Sequence, residues 1–183
     1  LRHVSNNWMM TKKNKAILLA LLTFLLLIGS IILAVIAFSD IKNYSSPYWF
    51  SILVATFGLL IGLLIWKKSK NFFYRNALKK DKVSNLSLFV VFATVGFCLF
   101  IFNQTNKLLS TTEDCDSHQI LSKTYQEHGY LKPSYYAFLI NLNGDIKKVY
   151  SDYDYWKDKR QGHYIKVCSY SSKLGFDYMM IKN

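Results

Sequence analysis

Cys115, Asp116 and His118 stand close together, with His128 ten positions further on, and this is where soft and borderline metal ligands gather. A structural zinc site takes four ligands and usually announces itself by a second CxxC or HxxxH pair, which is missing here. The same cysteine has a competing use. Cys115 and Cys168 both fall in the polar C-terminal half, and a disulfide between them would close a loop of about 50 residues, a cross-link of the kind that stabilises by about 2–4 kcal/mol. Cys98 lies within an apolar run and reads as an inert small hydrophobe.

Hydrolytic chemistry needs a nucleophile, a base and an orienting group. His118, His128 and His163 have serines for company, but there is no GxSxG turn or other context in which a triad is built. The carboxylates offer no pair: Glu113 and Glu127 are isolated, and Asp152, Asp154 and Asp158 share one short polar segment that suits a solvated helix start. Neither GxxxxGK nor GxGxxG occurs, so no phosphate cradle is encoded. The expectation is a protein without catalytic residues, metal or cofactor.

Aromatic residues form the other conspicuous set. Ten of the 13 tyrosines follow residue 103, and Tyr150, Tyr153 and Tyr155 adjoin Trp156. Tyrosine and tryptophan combine a large apolar face with a polar handle, which suits contact surfaces as well as strand-rich cores. Residues 150, 153, 155 and 156 are therefore a candidate interaction surface, weighed against ordinary core packing.

The elements that must position these residues begin with three apolar blocks, 16–38, 48–66 and 86–102, none containing a charged side chain. About 20 apolar helical residues cross a hydrocarbon layer of about 30 Å, so each block is expected to be a membrane-spanning helix. Ala37-Phe38-Ser39 has the form of a signal-peptidase site, but its apolar run is longer than a secretory h-region. Met10-Thr11-Lys12-Lys13 resembles a natural start, so nothing is drawn from residues 1–9. Within the spans the polar members are Thr23, Ser30, Ser51, Thr56, Ser87, Thr94 and Cys98, with no ionisable acid or base of the kind transport requires. Gly58 and Gly62 form a GxxxG pair, suited to close helix packing, within the chain or in a homo-oligomer.

The net charge of +12 is concentrated in two places. Arg2, Lys12, Lys13 and Lys15 precede the first block, and residues 67–85 carry seven bases against Asp81. The loop between the first two blocks carries only Asp40 and Lys42. The positive-inside rule then puts residues 1–15 and the basic 67–85 loop in the cytoplasm and the C-terminal tail outside. Bases interleaved with aromatics at Lys67–Arg75 suit anionic lipid headgroups, and no nucleic-acid fold signature accompanies them.

Past the third block, 103–116 is polar and reads as a linker, and 117–183 as a small, mainly β domain. Its expected strands are 118–126, 135–142, 146–151, 164–168 and 176–181, with a short helix over 152–160 and an Asn143-Gly144 hairpin turn. The fold class expected is thus three transmembrane helices plus a C-terminal domain of about five strands and one helix. The small size, Lys- and Asn-rich composition and simple topology suggest a bacterial inner membrane with the tail periplasmic or extracellular. In a eukaryotic setting Asn43 and Asn103 would be glycosylation acceptors.

By elimination, the function expected is that of a non-enzymatic membrane protein presenting its β domain to a protein or envelope component. The alternatives are an immunity or inhibitor protein against an envelope-acting toxin, an accessory subunit of a membrane complex, and an enzyme with a cryptic site in the tail.

Overall fold

A computed structural model of the chain describes residues 12–76, 83–127, 134–142 and 144–182. The expected N-terminal segment up to residue 11, part of the basic loop, His128 and Asn143 lie outside them. Three long helices come first: α1 (Lys12–Ile41), α2 (Pro47–Asn76) and α3 (Val83–Leu108). Each contains a stretch long and apolar enough to cross a membrane. A five-stranded antiparallel sheet with one short helix follows: β1 (Ser110–Gln126), β2 (Tyr135–Leu142), β3 (Asp145–Ser151), α4 (Tyr153–Asp158), β4 (Tyr164–Ser172) and β5 (Tyr178–Ile181).

The chain divides into two compact units. One comprises α1 up to Ile36 together with Ile52–Ile101. Its apolar residues face outward; Leu21, Leu25, Val35, Leu60 and Leu64 are all more than half exposed. The buried positions include the small or polar Thr23, Ser30, Ala93 and Cys98 as well as Val54, Phe73, Val91 and Leu99. Gly58 and Gly62 face α3, where an added Cβ would stand 2.9 Å from the Cα of Val95 and 3.0 Å from that of Val91. The GxxxG face is thus occupied within the chain. Gly96 lies against the backbone of Ser30, whose own hydroxyl donates to Leu27 O, and Thr23 donates likewise to Leu19 O.

The other unit comprises Ala37–Ser51 and Phe102 onward. The last turn of α1, the α1–α2 loop, the start of α2 and the end of α3 therefore belong with the sheet. This corrects the expected linker: residues 103–116 are helix as far as Leu108 and strand from Ser110. The physical reason is that the polar residues there have partners. Asn103 and Asn106 are fully buried, Asn103 Nδ2 donating to Asp40 and Asn106 Nδ2 to Phe176 O, so their polar side chains are satisfied within the fold and the helix continues through them. The burial of Asn103 also leaves no accessible glycosylation acceptor at that position.

In the sheet, strand order is β3-β2-β1-β4-β5. The 17-residue β1 is shared: its first half pairs with β4 and its second with β2, with register shifts between Thr112 and Asp114 and between Ile120 and Ser122. Bulges of this kind bend a strand, and the two edge strands β3 and β5 come into contact, so the sheet curls into a partly open barrel. Alternate inward residues close the core: Ile120, Phe138, Ile140, Val149, Ile165 and Val167. Trp156 of α4 packs partly buried against it, donating from Nε1 to Ala137 O, with the Lys123 ammonium 3.9 Å above its ring centroid. Cys115 and Cys168 are cross-strand partners joined by a disulfide. At the β2–β3 hairpin, Gly144 takes φ 93°, which glycine adopts without penalty, and its amide donates to Asn141 Oδ1.

Candidate functional site

The two edge strands run in the same direction and approach each other at the open seam of the barrel, where no ladder joins them among the described residues. Asn43 fills the seam. Its side-chain oxygen accepts from Tyr150 N on β3 at 2.8 Å, and its carbonyl accepts from Met179 N on β5 at 3.1 Å. Next to it, Tyr44 forms an isolated bridge with Tyr178, and Ser45 N donates to Asp177 O. The α1–α2 loop thus covers the β5 edge, which would otherwise offer unpaired backbone groups.

Rings hold the loop down. Tyr44 stacks on Tyr178 at 5.5 Å, Tyr178 on Tyr170 at 4.8 Å, and Phe50 meets both Tyr44 and Phe176 edge-on. Beneath them runs a polar chain in which Tyr44 OH donates to Asn103 Oδ1 at 2.6 Å, Asn103 Nδ2 donates to Asp40 at 2.9 Å, and Lys107 pairs with Asp40 at 2.6 Å. Burial, with the Asp40 carboxylate adding to it, pushes the Tyr44 phenol up to about 12. Burial also raises that of Tyr178.

Above this clasp opens a cleft of about 390 Å³. Five tyrosines line it, Tyr135 and Tyr136 from β2, Tyr150 from β3, and Tyr153 and Tyr155 from α4. Ser39, Asp40, Lys42 and Asn43 form one wall, Ser134, Ser151 and Asp152 supply further polar groups, and Met180 and Ile181 are the aliphatic members. The rings pack on one another, Tyr135 edge-on to Tyr150 at 5.5 Å and Tyr136 against both Tyr153 at 5.0 Å and Trp156 at 5.2 Å. Such interlocked rings are held before any ligand arrives.

The structure therefore brings together three of the four aromatic residues singled out in the sequence. Tyr150, Tyr153 and Tyr155 line the cleft, Tyr155 also packing on the core against Phe138, whereas Trp156 belongs to the core side alone and contacts Tyr136. Tyr135, Tyr136 and the α1–α2 loop were missed by sequence reasoning. The Tyr135-Tyr136 doublet at the start of a strand was the available signal; nothing local connects it to residues 39–43.

Asp116 and His118 line one small cleft with Asp114, but the other residues considered for chemistry lie elsewhere. His118 Nδ1 lies 3.1 Å from Asn141 O on one strand pair, and His163 Nδ1 accepts from Arg160 N in an exposed turn. The disulfide uses the Cys115 thiol that a metal site would need, and among the described residues no three His, Cys, Asp or Glu side chains gather for a metal. Comparison with protein-family models, with curated proteins and with solved structures returned no match.

Proposed function

We propose that this chain is a three-span integral membrane protein, without catalytic activity of its own, whose C-terminal barrel binds a protein or envelope component in the tyrosine cleft. The cleft is the observation that carries the reading. Five tyrosines, held as the pairs Tyr135–Tyr150 and Tyr136–Tyr153 with Tyr155 packed on Phe138, make a preorganised contact surface in a disulfide-linked domain, and no nucleophile–base pair accompanies them among the described residues.

Membrane insertion is supported by helices whose outward surface is apolar, which suits lipid and not water. The bias of lysine and arginine supports an N-terminus and a basic 67–85 segment in the cytoplasm, against anionic headgroups, with the barrel outside. The Cys115–Cys168 disulfide supports the same orientation, since such bonds persist in oxidising compartments. A bacterial inner membrane with a periplasmic or extracellular barrel fits all three.

A photo-crosslinking amino acid at position 153, compared with one at Tyr164 on the far strand, tests the proposal in intact cells. The expected result is a discrete adduct from 153 alone. Identical adduct patterns from the two positions would remove the cleft from the function.

A further inference from the structure

We infer that the cleft takes an uncharged sugar, a short saccharide whose pyranose rings lie against its tyrosines while the serines, Asn43 and Asp152 serve the hydroxyls. The inference rests on the binding reading above and narrows it to a ligand class.

Volume and lining set the class. A cleft of about 390 Å³ is at the small end of ligand sites, which span roughly 300–1,000 Å³. Its aliphatic lining is limited to Met180 and Ile181, too little to take an acyl chain or the apolar anchor of a peptide. Aromatic faces bordered by hydrogen-bonding groups have the opposite character. A pyranose presents axial C–H bonds, slightly positive, to the negative face of an aromatic ring, and directs its hydroxyls outward to polar neighbours. The hydroxyls of the five lining tyrosines make no hydrogen bond among the described residues, in contrast to Tyr44, whose hydroxyl is buried and bonded.

Charge then decides between neutral and ionic ligands. Asp40, Lys42 and Asp152 are the charged lining residues, and Asp40 is already paired with Lys107. One acid and one base are left, so neither a phosphate nor an ammonium is favoured. A cation would also meet competition: Lys148, Lys157 and Lys159 stand over the rings of Tyr135, Tyr153 and Tyr155 at 5.0, 5.9 and 5.0 Å. Those three lysines do not line the cleft. They would repel a cation and draw an anion towards the rim, so the test carries an ionic probe of each sign.

A sugar carried on a lipid and a free glycan share this chemistry, and the test tells them apart. The test uses the full chain in nanodiscs and saturation-transfer NMR with N,N′-diacetylchitobiose and maltose, free and as glycolipids in the disc. Glycerol phosphate and choline serve as ionic probes. Expected is transfer to the pyranose protons, with affinity weakened at least tenfold by Tyr153→Ala and severalfold by Asp152→Asn. Tyr164→Ala should leave binding unchanged. Tyr153 is half exposed and the Asp152 side chain does not cap α4, so both variants are expected to fold. Preference for the glycolipid form identifies a lipid-linked source, and equal affinity a free glycan; either supports the inference. Silence from both sugars, or tighter binding of glycerol phosphate or choline, overturns it. If the sugars fail while position 153 still yields its discrete adduct, only the ligand class falls; if both fail, the binding reading falls as well.

Discussion

Asn43 accepts a hydrogen bond from the backbone amide of Tyr150 at 2.8 Å, across 107 positions of sequence. A residue of the loop between two apolar helices thereby completes the edge of a strand in the C-terminal barrel, and with its carbonyl it does the same for β5.

Asn43→Ala should lower stability by about 1–3 kcal/mol, the cost of leaving a partly buried amide without its acceptor. Asn43→Asp keeps an oxygen in place and should recover most of the loss. Amide exchange at Tyr150 is the direct measurement: it should speed up in the alanine variant and stay slow in the aspartate one. Equal protection in both would deny the clasp its role.

Replacing Cys115 and Cys168 together by serine should cost about 2–4 kcal/mol, because the cross-link spans 53 positions and restricts the unfolded chain. For a domain of this size each kcal/mol corresponds to about 4–8 °C. Thermal unfolding of the wild-type chain with and without reductant should reproduce the double variant; a midpoint insensitive to reduction would contradict it.

Two glycines of the helical unit should behave oppositely. A Cβ at Gly96 would stand 2.5 Å from Ser30 O, whereas one at Gly29 meets nothing within 4 Å. Gly96→Ala is expected to destabilise the helices by about 1–3 kcal/mol through forced separation. Gly29→Ala should be neutral or slightly stabilising. Heat-induced aggregation in detergent, followed side by side, distinguishes them.

Alkaline pH should act through Tyr44. Its folded-state value of about 12 lies above the ordinary 10.0, so the folded chain holds the proton more tightly than the unfolded one. That stability is fully present below pH 10 and is lost as pH rises towards 12, by an amount on the order of 2–3 kcal/mol at 1.36 kcal/mol per unit. Tyr44→Phe should flatten this part of the stability curve. A curve of unchanged shape would show that another group controls alkaline unfolding.

The elements themselves were largely legible. Charge-free apolar blocks gave the helices because their composition is extreme, and alternating aromatic and β-branched runs gave β2 within its observed bounds. The errors cluster at 103–116, where Asn103, Gln104, Thr105 and Asn106 have the composition of a loop. Their helical state depends on Asp40, Phe176 and Ser172, partners more than 60 positions away. The early half of β1 was missed for a similar reason: Ser110–Ser117 has little strand propensity and is held by its pairing with β4.

Chemical character along the chain, then, was determined by the sequence alone: three apolar helices, a basic bias at two places, a β-rich tail, and two cysteines able to pair. Apolar composition and charge act locally, so they can be read residue by residue. Tertiary structure alone decided that the α1–α2 loop closes the barrel seam, that Trp156 supports the tyrosine array from the core side, and that residues from β2, β3, α4 and the end of α1 share one cleft. Those relations depend on the curl of a sheet around a bent strand and on buried polar groups finding distant partners, and neither leaves a local pattern.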